Sequence, residues 1–222
     1  MRITISKENY LKAIAEAQSE GETVKAVTLS RWLHVSAPAV TMAIKRLRRD
    51  ALIRVEAEGQ ITLTPQGRAI ANRLMNRHHL IERMLTEIFG LEWYKVHDEA
   101  EQLEHVVSAD FERKLVEKLG AGSVCPHGNV VGMDSPLLRR QQGLKPLEEG
   151  RAGETLAVVS VFERDRQLLE YLDSQGIRPG VRLNVKAAGD TIDLAADGRA
   201  VRLDPTVAAK VWVKTAEPVK VR

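Results

Sequence analysis

The stretch from Ala37 to Thr64 restricts the fold more than any other part of the chain. Val40, Ile44 and Leu47 recur at i, i+4 and i+7, one apolar stripe on a helix, and Pro38 suits that helix's first turn. Its opposite face shows Thr41, Met42, Lys45, Arg46, Arg48 and Arg49. Residues 52–56 and 60–64 then read as two strands folded about Glu58-Gly59, a β-hairpin. Two helices are predicted upstream. Ser6 can cap the first, which carries Tyr10, Leu11 and Ile14, and Thr28 can cap the second, with Leu29 and Leu33 inward. Ser36 or Ala37 stands near the cap of the third. Three helices followed by a hairpin make a winged helix-turn-helix, whose third helix is shaped to enter a major groove. Thr64 and Pro65 start a further helix, whose unpaired N–H groups suit a phosphate.

Charge is unevenly distributed. Residues 25–83 hold eleven Lys/Arg against four Asp/Glu, and residues 87–119 hold nine Asp/Glu against four Lys/Arg. The basic part suits a polyanion and the acidic part a cation. No run approaches the roughly 20 apolar residues of a membrane span, and the first residues lack a signal peptide's apolar core, so a cytoplasmic location is expected. Cys125, the single cysteine, excludes an intramolecular disulfide.

Long helices are predicted over residues 65–89 and 94–119, parted at Gly90. Their apolar positions, Leu74, Ile81, Leu85 and Ile88, then Val96, Leu103, Val107, Phe111 and Leu115, exceed what one helix pair buries, which points to a homodimer. On the second helix His97, Glu101, Glu104 and His105 fall at i, i+4, i+7 and i+8, on one face. His78 and Glu82 form an i, i+4 pair on the first, and Asn9 lies on the opening helix. Mixed carboxylate, amide and imidazole donors suit Mn(II) or Fe(II) better than a structural zinc site. A solvated, salt-bridged surface has the same spacing. Residues 120–153, rich in Gly, Pro and charge, read as a connecting segment. Short β-type runs from Leu156 onward, with one helix near residues 165–174, suggest a small β-barrel.

Several motifs in the middle of the chain resemble one family closely: Arg77-His78, Ile81-Glu82-Arg83, Gly90-Leu91, Lys95-Val96-His97-Asp98-Glu99-Ala100 and Glu104-His105-Val106. They are similar to the diphtheria toxin repressor and manganese transport regulator family. The likeness extends to Leu47, Arg49-Asp50, Leu52 and Leu63-Thr64-Pro65. It implies a mainly α protein with small β: a winged helix-turn-helix over residues 1–70, a helical metal-binding and dimerisation domain over 71–140, a linker over 141–154 and an SH3-like, FeoA-like β-barrel over 155–222.

The resemblance also implies a homodimeric, metal-dependent transcription regulator of metal-homeostasis genes, usually a repressor, acting on double-stranded operator DNA. By position its primary site is Asn9, Glu101, Glu104 and His105, with His78 close by. Glu101 stands where iron-type members carry cysteine and manganese-type members glutamate, which favours Mn(II). A second site is implied around Glu82, with either His78 and His97 or Cys125 and His127, and with Glu163 or Asp165 from the third domain. Ser36, Pro38, Ala39 and Met42 stand where the family approaches bases, with Arg31, Lys45, Arg46, Arg48 and Arg49 as phosphate contacts. Met42 replaces a hydrogen-bonding glutamine and cannot reproduce its bidentate base contact. The competing readings are a metal-independent winged-helix regulator and a metalloenzyme.

Overall fold

A computed structural model describes residues 3–122, 124–133 and 135–216; the expected outer domain limits at 1 and 222 lie outside them. Helix α1 (Ile5–Ser19) is capped by Thr4 rather than Ser6: the Thr4 hydroxyl accepts the Lys7 N–H at 3.4 Å. Helix α2 (Ala26–Leu33) begins two residues before the expected Thr28 cap. Thr28 instead sits in its first turn, where its hydroxyl accepts the Lys25 N–H at 3.1 Å. Helix α3 (Ala37–Arg49) follows Ser36 in extended backbone. Strands β1 (Ile53–Val55) and β2 (Ile61–Leu63) pair antiparallel with Ile53 opposite Leu63, and both Glu58 and Gly59 take positive φ at the turn. Leu11, Ile14, Leu29, Val40, Leu47, Leu52 and Ile61 are buried together and make the winged-helix core.

Helix α4 (Pro65–Arg83), capped by Thr64 through the Gly67 N–H at 3.1 Å, packs along α1 and so joins this unit to the next. It widens over Met84–Ile88, where the Phe89 N–H reaches back five residues to the Met84 carbonyl at 3.3 Å. The expected continuous helix over 94–119 is two: α5 (Val96–Leu103) and α6 (Ala109–Leu119). Ser108 breaks it. Its backbone is extended and its hydroxyl accepts the Phe111 N–H at 3.2 Å, which starts a new helix. Glu104 and His105 therefore lie in the turn after α5 rather than on one uninterrupted face. Ile81, Leu85, Val96, Ala100 and Leu115 form the core here, while Ile88, Phe89, Phe111 and Val116 stay exposed.

After α7 (Pro136–Gln141) comes a six-stranded antiparallel sheet, ordered β3-β8-β4-β5-β6-β7. Its strands are β3 (Lys145–Pro146), β4 (Thr155–Val161), β5 (Arg182–Ala188), β6 (Ile192–Ala196), β7 (Arg199–Leu203) and β8 (Val211–Thr215). Helix α8 (Arg166–Ser174) packs Leu169 and Leu172 into the core with Val158, Val185 and Leu194, and α9 (Pro205–Ala208) links β7 to β8. The segment expected as a linker, 141–154, belongs partly to this unit: Lys145 pairs with Val213, and Leu147 is fully buried in its core. Trp93, from the helical region, is buried in the same core and donates its indole N–H to Asp173 at 2.5 Å, fixing the sheet beside α5. Among the described residues no helix is long and apolar enough to cross a membrane.

Candidate metal centre and nucleic-acid surface

Glu82 is the penultimate residue of α4, fully buried, and its Oε2 atom makes no hydrogen bond. A lone buried carboxylate oxygen is costly, so its surroundings matter. His78 Nε2 lies 3.1 Å from Glu82 Oε1, His97 Nδ1 3.3 Å and His127 Nδ1 3.4 Å. Glu163, from the turn between β4 and α8, places Oε2 3.5 Å from His127 Nδ1 and 3.2 Å from Cys125 Sγ. His79 Nε2 is 4.0 Å from the other Glu163 oxygen. The ligand atoms of His79, Glu82, Cys125 and Glu163 all lie within 4.8 Å of one another, and so do those of His78, Glu82 and His97. Both alternatives implied for the second site thus meet at one carboxylate.

The Cys125-Pro126-His127-Gly128 turn is built to present its donors. The His127 carbonyl accepts the Val161 N–H at 3.0 Å, and the Asn129 side chain donates to the Val161 carbonyl at 3.1 Å and to Glu163 at 2.6 Å. Gly128 has φ +83°, and a Cβ there would stand 1.9 Å from the Val159 carbonyl oxygen, so only glycine lets the turn lie against β4. His127 Nε2 is 2.8 Å from the Trp93 carbonyl, which only accepts. Nε2 therefore carries a hydrogen, and Nδ1 is the lone-pair nitrogen once the ring is neutral.

Charge in this inner cluster is held by protons. Burial opposes protonation of His127, yet Glu82 and Glu163 push it up to about 10. His97 rises to about 9, since hydrogen bonds to Glu101 and Glu82 outweigh burial. Burial alone would raise Glu82, but His127 and His78 hold it well below the usual carboxylate range. Cys125 is pushed far up by burial, and further by Glu163 and Glu82, so it is a thiol when no cation is near. Four imidazoles, two carboxylates and a sulfur with an unpartnered oxygen among them fit a divalent transition ion.

The residues expected as the primary site lie in a separate cleft of about 220 Å³ between α1, α2 and the end of α5. Asn9 Oδ1 is buried there without a hydrogen bond, Glu104 Oε1 is 3.5 Å from His105 Nε2, and Glu101 is partly exposed. The cation among them is Lys12, buried, with Nζ 2.8 Å from Glu104 Oε2 and 3.7 Å from Glu101 Oε1. Arg164, next to Glu163, donates to Glu101 at 3.1 Å, to Glu16 at 2.7 Å and to the Trp32 carbonyl at 3.3 Å. His105 Nδ1 faces Glu8 at 3.0 Å. The carboxylates of this cleft are thus paired with fixed lysine and arginine charges, where those of the inner cluster face mainly imidazoles. Asp165 belongs to neither place: it caps α8, its Oδ1 accepting the Leu168 N–H at 3.0 Å.

Sequence reasoning missed His79, Lys12, Glu8, Asn129 and Arg164. The spacing rule that selected His78 would have found His79, three residues before Glu82. Lys12 sits one turn after Asn9, but a lysine is not sought among metal ligands.

On the winged helix, Ser36, Pro38, Ala39, Met42, Lys45, Arg46, Arg48 and Arg49 are all exposed along α3. Arg49 lies 3.3 Å from Asp50, and Arg31 pairs with Glu22 on the same unit. Lys45, Arg46 and Arg48 form no ion pair among the described residues, which leaves their charge to solvent or phosphate.

Three family profiles match the chain in order: the iron dependent repressor N-terminal DNA binding domain over residues 2–60, the iron dependent repressor metal binding and dimerisation domain over 64–131, and the FeoA domain over 145–215. The diphtheria toxin repressor of Corynebacterium efficiens is 32% identical over 221 residues, 95% of each chain. The iron-dependent repressor IdeR of Mycobacterium tuberculosis is 34% identical over 190 residues, 81% of this chain and 83% of its own. A solved manganese-dependent transcriptional repressor in complex with manganese superposes with a TM-score of 0.82 at 32% identity, covering 95% of this chain and all of the other. The manganese regulator SloR does so at 0.77 and 28%, covering 96% of this chain. These are transcriptional repressors, not enzymes, which removes the metalloenzyme reading, and the chain belongs to the metal-dependent, DNA-binding repressor family that includes the diphtheria toxin repressor.

Proposed function

We propose that this chain represses metal-homeostasis genes as a homodimer that grips operator DNA when Mn(II) is held by the Glu82 cluster, with Fe(II) as the second candidate. The observation that carries this reading is the orphaned, fully buried Glu82 oxygen facing Cys125, His127 and Glu163. Carboxylate and imidazole donors suit Mn(II), and the similar solved regulators named for manganese support it. The exposed Ile88, Phe89, Phe111 and Val116 supply apolar surface for a second copy within the dimerisation region.

Glu82, Cys125, His127 and Glu163 would be the holding residues, with His79 and His97 at the rim. When bound, a divalent ion supplies fixed positive charge that neutralises Glu82 and Glu163 without protons on His97 and His127. The remainder is done by the chain. Glu82 belongs to α4, Cys125 and His127 to the connecting turn, and Glu163 to the edge of the sheet. Holding them together fixes the third unit against α4. One peptide further on, Arg164 clamps Glu16 of α1 and the Trp32 carbonyl of α2, and α1 and α2 carry α3. The position of Glu163 and the placement of the recognition helix are thus linked, and the population shifts toward the geometry that holds the ion better.

The test begins by selecting a duplex from a random-sequence pool in Mn(II). The selected duplex is then titrated at fixed salt with Mn(II), Fe(II), Zn(II) and chelator. Binding at least tenfold tighter with Mn(II) than with chelator is expected. Equal binding in all four conditions overturns the proposal and leaves a metal-independent regulator, in which the His–Glu pairs are salt bridges only.

A further inference from the structure

We propose that Lys12 is a tethered cation that holds the cleft of Asn9, Glu101, Glu104 and His105 in place of a metal ion, so that each chain takes up its metal at the Glu82 cluster alone. The inference rests on the Glu82 cluster being the metal site, and concerns what the second cleft does instead.

Helix α1 turns Asn9 and Lys12 to one side, at i and i+3. The Lys12 stem is covered, with 3% of the residue exposed, and its ammonium reaches the middle of the acidic set. Nζ stands 2.8 Å from Glu104 Oε2, 3.7 Å from Glu101 Oε1 and 3.9 Å from Glu16 Oε1. An ammonium is a compact point charge with three donors, and these three carboxylates surround it as they would a small ion. Arg164 brings a second fixed charge onto Glu16 and the same Glu101 oxygen.

Glu104 Oε2 is shared with His78 Nδ1 at 2.6 Å, so that oxygen is committed twice. Three carboxylates therefore face two permanent cations, and a divalent ion entering the cleft meets like charge where it needs anions. What is left for it is the Asn9 carbonyl oxygen, the second oxygens of Glu101 and Glu104 and His105 Nε2, donors that an incoming ion reaches only against the charges of Lys12 and Arg164. The geometry agrees: among the described residues, neither group of potential ligand atoms lying within 4.8 Å of one another includes Glu101, Glu104 or His105.

The same contacts have a structural consequence. Lys12 is on the DNA-binding unit and Glu104 on the end of α5, so the ammonium ties the two units in the metal-free chain.

Manganese stoichiometry tests this directly, by equilibrium dialysis with the bound fraction read by electron paramagnetic resonance on the full-length dimer. One ion per chain is expected for the unsubstituted protein. Lys12→Met should raise this to two, and Lys12→Met with Glu104→Gln should return it to one. Glu104→Gln alone should leave it at one, and this variant decides the matter if Lys12→Met does not fold. Two ions per chain in the unsubstituted protein, with one lost in Glu104→Gln, overturns the proposal, as does a Lys12→Met chain that still takes one. Failure of the Glu82 reading appears differently, as loss of no manganese on Glu82→Gln substitution.

Discussion

Two clusters of buried charge lie side by side in this molecule, bridged by His78, and they are neutralised in different ways. In the inner one, Glu82 and Glu163 are balanced by protons on His97 and His127, which can leave as solution protons. In the outer one, Glu104 and Glu101 are balanced by Lys12 and Arg164, which cannot leave the chain. Burial works against the Lys12 charge, but Glu16, Glu104 and Glu101 outweigh it and raise its pKa above that of an ordinary lysine. Exchange of cations is therefore easy in the inner cluster and obstructed in the outer, although the two share similar residue types.

The hardest blow to this contrast is Glu82→Gln. The change keeps the shape and removes the one carboxylate common to both ligand groups, leaving His78, His97 and His127 facing each other. Removing one partner of a buried pair costs about 3 kcal/mol or more. Chemical denaturation of the metal-free dimer should show that loss, and the rise in Tm on adding Mn(II) should vanish. A variant that keeps the Mn(II)-dependent rise would move the metal elsewhere.

The inner histidines also set a pH dependence. His127 and His97 have folded pKa values of about 10 and about 9, above the ordinary 6.5. Their contribution to stability is fully present below the unfolded pKa and is lost as pH rises through 9 to 10. The metal-free protein should therefore lose stability from pH 6.5 upward. Ligation needs neutral imidazoles, so Mn(II) affinity should rise over the same range, by up to about tenfold per pH unit for each proton released. Calorimetry in buffers of different ionisation enthalpy counts those protons. Release of none would mean that the inner histidines are not exchanged for the ion.

Much of this was legible in sequence, and the misses have physical causes. The winged helix could be read because its apolar period and its turn residues agree, down to Glu58-Gly59 and the Thr64 cap, although the caps of α1 and α2 fall elsewhere than Ser6 and Thr28. The break at Ser108 was hidden because Val107, Phe111 and Leu115 keep a helical period across it. Cap chemistry decided there, not periodicity. The strand at Lys145–Pro146 was too short to register in a Gly- and Pro-rich segment. For the site, helical spacing located His78, Glu82 and His97, and the family resemblance, not spacing, supplied the Cys125–His127 turn. Spacing had no means of showing that Lys12, some 90 residues from Glu104 in the chain, would lie against it.

The smallest effect separates two carboxylates that sequence could not tell apart. Glu163 and Asp165 are two residues from each other on one turn, and either was a fair candidate for the third unit's ligand. Glu163 faces Cys125 and His127, whereas Asp165 turns to the N–H of Leu168 and starts α8. Glu163→Gln should lower Mn(II) affinity about tenfold or more by loss of an anionic ligand, with the sheet intact. Asp165→Ala should lower stability by about 1 kcal/mol, the usual value of a helix cap, and leave Mn(II) affinity unchanged. Titrating both variants side by side is decisive: a weakened Mn(II) isotherm in Asp165→Ala would mean that the ligand from this turn is drawn from the helix cap after all. The reason to expect otherwise is that Asp165 already has its hydrogen-bond partner on its own helix, while Glu163 has only the buried groups of the inner cluster and Asn129.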